Sequence, residues 1–189
     1  MDVLVLQHIA CEPPGAFEDV LAAAGADIHR VELDEGDALP PWQDFVAIVA
    51  MGGPMSVNDD AELPWLTAEG QSDPVFAGLP AEFLTLQWHG DTFDVPEGGV
   101  LLASSPVFPN QGFRVGRTAY GVQFHVEVTE QMAREWAEVP AYAEYADRVL
   151  GAGGIDRLMA DFDAARERML DVGRRMFERW VEIAVAVPR

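Results

Sequence analysis

The segment Ala119–Val128, AYGVQFHVEV, is the part of the chain that decides its fold and its chemistry. A short apolar run that ends in His125 and Glu127 predicts a buried strand presenting two polar side chains at its carboxyl end. Because side chains alternate along a strand, His125 and Glu127 point to the same side. An imidazole oriented by a carboxylate is the base half of a catalytic site whose other half is a Cys or Ser nucleophile.

The amino-terminal part of the chain alternates strand and helix patterns. Short apolar runs predict strands over Val3–Ile9, Asp27–Leu33 and Phe45–Met51, and the third run is apolar throughout. Between the first two strands, Ala16–Ala24 has apolar residues at helical spacing and stops at Gly25. This β-α-β order predicts a parallel sheet with helices on both faces.

Gly52 and Gly53 follow the third predicted strand directly. Two glycines let backbone N–H groups turn toward a ligand without side-chain obstruction, and ligands of open parallel sheets lie beyond the carboxyl ends of the strands. The pattern therefore predicts either an oxyanion site built from backbone donors or a plain tight turn. The sequence does not choose between the two.

The middle of the chain predicts an antiparallel meander with helices around it. Thr129 is the predicted N-cap of a helix over Glu130–Ala137, since its hydroxyl can satisfy backbone N–H groups of the first turn. Pro64–Leu66 predicts the start of another helix. The strands of the meander are predicted over Phe83–Trp88, Val100–Ser104, Gly112–Val115 and Ala119–Phe124.

A long amphipathic helical pattern covers Ile155–Val187, with a break predicted near Gly173, after a hinge-like region over Pro140–Gly154. Its apolar stripe predicts packing on the domain or on a second subunit. Its polar face mixes Asp, Glu and Arg, and this mixture of charges disfavours binding of the helix to a membrane surface. We therefore predict a domain over residues 1–139 and a C-terminal helical extension over residues 140–189.

The charge, the apolar runs and the cysteine count limit which partners and which cellular location the sequence predicts. The formal charge is −20, with 12 basic residues, so the surface repels nucleic acids and anionic membranes. No apolar run approaches the roughly 20 residues that a membrane helix needs, and no signal peptide is evident. The single cysteine, Cys11, excludes an internal disulfide and predicts a reducing, cytoplasmic location.

Three motifs in the same order resemble those of the class I glutamine amidotransferases. They are Met51–Asp59 (MGGPMSVND), Gln87–Asp91 (QWHGD) and Gly121–Glu127 (GVQFHVE). The likeness is to stand-alone members similar to the glutaminase domain of GMP synthase, which are hydrolases and transferases. It implies a flavodoxin-like three-layer α/β sandwich with a mostly parallel sheet. It also implies hydrolysis of the side-chain amide of glutamine by a Cys-His-Glu set.

The resemblance assigns a role to each residue that matches a motif. His125 resembles the general base and Glu127 the residue that orients it. Val126 stands between them, where the family usually has proline. Gly52 and Gly53 resemble the loop that holds the oxyanion. The loop that contacts the backbone groups of glutamine is matched by His89, Gly90 and Asp91.

The family's nucleophile has no counterpart in this chain. It belongs to a Gly-x-Cys-x-Gly elbow between the glycine loop and the Trp-His-Gly-Asp loop, but residues 60–86 contain no cysteine. The central strand, its elbow and the flanking elements would need roughly 45 residues more. We therefore predict a sandwich that lacks its central nucleophile strand, with the join between Leu66 and Ser72.

Cys11 as a nucleophile and a metal site are two alternatives that the sequence also offers. Cys11 follows the first strand and could reach the same rim, but it lacks the elbow context that exposes and activates a thiol, so an inert thiol is favoured. A metal site built from His8, Cys11 and His89 is disfavoured because no ligand spacing supports it. No metal and no cofactor are predicted.

Three functions remain open at this point. The chain is an amidotransferase-like protein that has lost catalysis, or a binding or regulatory module for glutamine or a similar small amide. Alternatively, the sequence is a shortened version of an active glutaminase. The partners that the resemblance implies are a synthetase or a second copy of the chain.

Overall fold

The computed structural model describes residues 1–53, the backbone of residues 65–68, and residues 72–186. The amino-terminal part forms a parallel sheet of three strands in the order β2-β1-β3. These strands are β1 (Asp2–Gln7), β2 (Asp27–Glu32) and β3 (Ala47–Ala50), and α1 (Ala16–Ala23) connects the first two. A short 3-10 helix over Trp42–Asp44 precedes β3. The β-α-β order predicted from the sequence is confirmed.

The middle of the chain forms a second sheet of five antiparallel strands in the order β5-β4-β6-β7-β8. Strands β6, β7 and β8 confirm the predicted meander, but β4 lies between β5 and β6, so the first strand of the predicted meander is not next to the second. The helix start predicted at Pro64–Leu66 is wrong where the structure describes it, because Trp65 and Leu66 pair with β5 in a strand. Pro64 itself lies outside the described residues. The strands are β4 (Trp65–Ala68), β5 (Glu82–Leu84), β6 (Gly99–Ser104), β7 (Gly112–Val115) and β8 (Ala119–Val122).

A cavity of about 630 Å³ lies between the two sheets. Among the described strands, β3 pairs with β1 alone and β8 with β7 alone, so each is the last strand of its sheet. Residues of both strands line the cavity. The third predicted strand is therefore an edge strand, with Ile48 41% exposed.

Three helices follow the meander. They are α2 (Glu130–Glu138), α3 (Pro140–Leu150) and α4 (Gly154–Val185). The predicted cap of α2 is confirmed, since the Thr129 hydroxyl accepts a hydrogen bond from the Met132 N–H at 3.3 Å. The break predicted near Gly173 is wrong, because α4 is one helix of 32 residues. None of the described helices is long and apolar enough to cross a membrane.

Helix α4 joins the hydrophobic cores of the two sheets. Leu158, Phe162 and Met176 belong to the core under the antiparallel sheet. Phe177 and Val181 close the core under the parallel sheet, which also contains side chains from β1 and α1. The helix therefore holds the two sheets on either side of the cavity.

Candidate active site

His125 and Glu127 form a hydrogen-bonded pair just after β8. Nδ1 of His125 lies 2.8 Å from Oε1 of Glu127, and the backbone N–H of Val126 donates to Oε2 at 2.9 Å. The backbone of His125 is fixed by reciprocal hydrogen bonds with Leu86, at 2.8 and 3.0 Å. The edge of the Trp136 ring packs on the imidazole, with ring centroids 5.1 Å apart. The pair predicted from the sequence is thus held rigidly and lines the cavity.

The pair is built to carry opposite charges. Burial by itself disfavours the charged imidazole, but the Glu127 carboxylate and its hydrogen bond outweigh burial and raise the pKa of His125. Burial by itself disfavours the charged carboxylate, but the charge and hydrogen bond of His125 and two backbone N–H groups lower the pKa of Glu127. The imidazole is therefore a stronger base than an isolated histidine.

Glu12 is a second carboxyl group at this site, which the sequence analysis did not single out. It is 9% exposed and lines the cavity beside the His125–Glu127 pair. The Tyr142 hydroxyl donates to it at 3.5 Å. A Cβ on Gly52 would lie 3.1 Å from Oε2 of Glu12, so a glycine keeps the loop after β3 clear of this carboxyl group. Glu12 could have been found from its place after a parallel strand, where ligand-binding residues concentrate.

Replacing Glu12 with glutamine is expected to stabilise the protein at neutral pH. Burial, opposed in part by the charge of His125, raises the pKa of Glu12, so the folded state is weakened as pH rises and this group ionises. We expect E12Q to gain about 1 kcal/mol, or roughly 3 °C in melting temperature. The gain should shrink as pH falls through the folded-state pKa of Glu12 and vanish well below the ordinary carboxyl range, where Glu12 is protonated in both states. Thermal melts of wild type, E12Q and the exposed-loop variant E35Q across this range test it, and an equal gain at every pH would contradict it.

His89 and Asp91 also line the cavity. The imidazole of His89 is 7% exposed, and its Nδ1–H donates to the Asp91 carbonyl at 2.9 Å. The Gln123 side chain donates to the same carbonyl at 2.7 Å. These contacts tie the loop of residues 89–91 to the strand that leads into His125.

The structure brings most of the predicted residues to one place. Gly90 is the exception, since it connects His89 to Asp91 without lining the cavity. Sequence reasoning missed the aromatic residues of the cavity wall, whose patterns are those of ordinary core positions. The predicted residues that line the cavity are Gly52, Gly53, His89, Asp91, His125 and Glu127.

The chain is similar to solved structures over almost its whole length. A glutamine amidotransferase from Thermotoga maritima superposes with a TM-score of 0.82 at 21% identity, covering 96% of this chain and 98% of that chain. A glutamine amidotransferase from Methylobacillus flagellatus superposes with a TM-score of 0.80 at 22% identity, covering 96% and 94%. The chain has the class I glutamine amidotransferase fold. The α/β fold class implied by the sequence motifs is confirmed, but the expectation of a mostly parallel sheet is wrong for the described strands, because three of them form the parallel sheet and five form the antiparallel sheet.

Sequence similarity to curated proteins covers a shorter stretch. The GMP synthase [glutamine-hydrolyzing] of Thermosipho melanesiensis is 36% identical over 80 residues, which is 41% of this chain and 16% of that protein. The enzyme of the same name from Staphylococcus aureus matches to the same extent. No protein-family model matches the chain. The amidotransferase-like chain thus aligns with less than a fifth of these relatives' length.

Cys11, the single cysteine of this amidotransferase-like chain, is not part of the cavity lining. Its carbonyl accepts a hydrogen bond from the Trp136 indole N–H at 2.7 Å, which fixes the backbone there. Burial and the negative charge of Glu12 raise the pKa of the Cys11 thiol. Because the thiolate is the reactive form, this environment suppresses nucleophilic attack.

Metal ligands are not assembled in the described ranges. Within residues 1–53 and 72–186, no three side chains of the His, Cys, Asp or Glu type come together in a metal-binding group. His125, Glu127 and Glu12 can transfer protons and form hydrogen bonds at this site.

Proposed function

We propose that this chain binds glutamine or a similar small amide in the cavity and does not hydrolyse it. The observation that carries the proposal is an intact His125–Glu127 pair that faces the cavity while the thiol of Cys11 is outside it. The pair can take a proton from a nucleophile, but thiol-dependent acyl transfer requires the thiol itself. The cavity is therefore proposed to bind the amide without hydrolysing it.

Each predicted residue has a role in this binding. The backbone N–H groups of Gly52 and Gly53 are proposed to hold the amide oxygen of the ligand. The loop of His89, Gly90 and Asp91 is proposed to contact the amino and carboxylate groups of glutamine, with Asp91 facing the ammonium. His125 is proposed as the hydrogen-bond partner of the side-chain amide, oriented by Glu127.

Calorimetric titration with glutamine, run beside an ammonia-release assay, tests the proposal. We expect saturable binding with Kd between the micromolar and millimolar range and no ammonia release. Asp91→Asn should weaken binding about tenfold by removing the charge opposite the ammonium. Asp94→Asn, on the same loop but outside the cavity lining, should leave binding unchanged. Turnover of glutamine with labelling of Cys11 would contradict the proposal.

The shortened-sequence hypothesis makes a separate prediction about mass. The chain as given has a mass of 20.7 kDa. An intact mass several kDa higher for the natural protein would show that a segment is missing from the sequence, and a transcript read across Leu66–Ser72 would show whether it belongs there. The roles of His125 and Glu127 would then stand in an active glutaminase with a restored cysteine.

The relatives suggest where such a protein would act. The curated relatives are named as glutamine-hydrolysing GMP synthases, so a synthetase is the proposed partner that receives ammonia or a regulatory signal. A cytoplasmic location is proposed from the single unpaired cysteine, which suits a reducing compartment.

A further inference from the structure

The cavity lies between two strand edges that have no strand partner among the described residues. Strand β3 uses one side to pair with β1, and β8 uses one side to pair with β7. The same cavity is lined by residues of both strands and their neighbours, which are residues 48–51 at β3 and residues 118–124 at β8. An unpaired edge presents N–H and C=O groups that can pair with another strand. One extended segment between β3 and β8 could therefore pair with both.

The other two outer strands are protected in ways that β3 and β8 are not. Strand β2 carries His29, Arg30 and Glu32, and charged side chains on an edge oppose strand pairing. Strand β5 is only three residues long. In contrast, β3 (AIVA) and β8 (AYGV) contain no charged residue. Among the described strands, the two edges at the cavity are thus the ones that lack such protection against pairing.

The part of the cavity wall formed by β3, β8 and the helices favours an apolar occupant. Ile48 is 41% exposed, although strands inside a parallel sheet bury both faces, and Val122 on the antiparallel strand β8 is 45% exposed. Helices α1 and α4 add Phe17, Phe177 and Trp180 to the lining. A segment that paired with both edges would cover these side chains with its own.

We propose that the cavity between β3 and β8 is a docking site for an extended apolar segment of a partner protein, flanked by basic residues. Backbone hydrogen bonds to both edges would hold the segment, and the apolar walls would select its side chains. The formal charge of −20 favours basic flanks and opposes a second copy of this chain as the occupant. This inference does not depend on glutamine binding.

A synthetic peptide tests the docking site directly. The probe has about five consecutive valine and isoleucine residues between pairs of lysines, which matches the length of an ordinary strand. We expect saturable binding by fluorescence anisotropy and slower amide hydrogen exchange in residues 47–50 and 119–122. The same peptide with a central proline should not bind, because proline lacks the N–H and breaks the ladder.

Substitutions on the two edges locate the binding. Ile48→Lys and Val122→Lys should each weaken binding of the peptide about tenfold or more, because they place a positive charge on the edge that the basic peptide must cover. Val100→Lys is the matched control, since Val100 is also 45% exposed but does not line the cavity, and it should change binding less than about twofold.

Three results would overturn the proposal. The first is no binding of the peptide at millimolar concentration. The second is binding that Val122→Lys and Val100→Lys weaken equally, or that protects β2 or β5 instead of β3 and β8. The third is a stable dimer of the chain that occupies these edges, which would replace the partner protein with a second copy. Loss of glutamine binding alone would leave the docking site standing.

Discussion

Replacing Gly173 with alanine is expected to destabilise the protein by about 3 kcal/mol or more. The position is inside α4, where alanine would ordinarily stabilise a helix by about 1 kcal/mol relative to glycine. Here a Cβ would overlap the backbone oxygen of Val126 and lie 2.9 Å from its carbonyl carbon. Backbone atoms cannot rotate away as a side chain can, so α4 and the segment around Val126 must move apart.

The exposed position Ala164 in the same helix provides the control for this prediction. Ala164→Gly should cost about 1 kcal/mol through helix propensity alone. Urea denaturation of wild type and the two variants measures the free energy of unfolding of each, which separates the effect of helix propensity from the effect of the clash with Val126. Because Val126 lies between His125 and Glu127, G173A should also weaken glutamine binding. A stability equal to or above that of wild type would show that α4 does not approach the site as closely as described.

Replacing Glu127 with glutamine is expected to cost about 3 kcal/mol between pH about 4.3 and about 6.5. The carboxylate accepts hydrogen bonds from His125 and from the backbone of Val126, through one oxygen each. A glutamine has a single acceptor oxygen, so its NH₂ group would face one of these donors. The substitution also removes the negative charge of Glu127, which offsets the free-energy cost of burying a protonated His125.

The pH dependence of E127Q follows from the two pKa shifts. The lowered pKa of Glu127 gives stability that is present above the ordinary carboxyl range and is lost as pH falls through the folded-state value. The raised pKa of His125 gives stability that is present below the ordinary histidine range and is lost as pH rises through the folded-state value. The cost of E127Q should therefore be largest between these ranges and smaller on both sides.

Denaturant unfolding at several pH values, with NMR titration of the histidines, measures this dependence. The pKa of His125 should fall in E127Q, although Glu12 still faces the imidazole and keeps part of the increase. Glu138→Gln, at the exposed end of α2, should change stability by less than about 0.5 kcal/mol. A cost of E127Q that is constant across pH would mean that the pair does not carry opposite charges.

The pair at the centre of the site could be predicted because its signal is local. His125 and Glu127 are two residues apart on an extended segment, and the alternation of a strand alone places them on one side. The β-α-β order and the cap at Thr129 were predictable for the same reason. Each depends on neighbours in sequence.

Features that depend on distant parts of the chain were missed. Residues 65–68 form β4 because β5 and β6 lie on either side, which no local pattern records. Gly173 resembles a helix break until the approach of Val126 is known. The pKa of Glu12 is raised by burial and by the Glu127 carboxylate, which is more than a hundred residues away in the sequence. An edge strand such as β3 has the same apolar composition as a central one, so the open cavity could not be read from its residues.

The position of α4 constrains how this chain can fold as it is made. The parallel sheet and α1 are complete within the first 50 residues, but the core beneath them needs Phe177 and Val181. Those residues are synthesised more than 120 residues after β3, so the parallel sheet must wait for α4 before its apolar face is covered. Pairings this distant in sequence form slowly, and exposed apolar surface during that wait promotes aggregation. The nascent amino-terminal half is therefore the stage at which this protein would most need a chaperone.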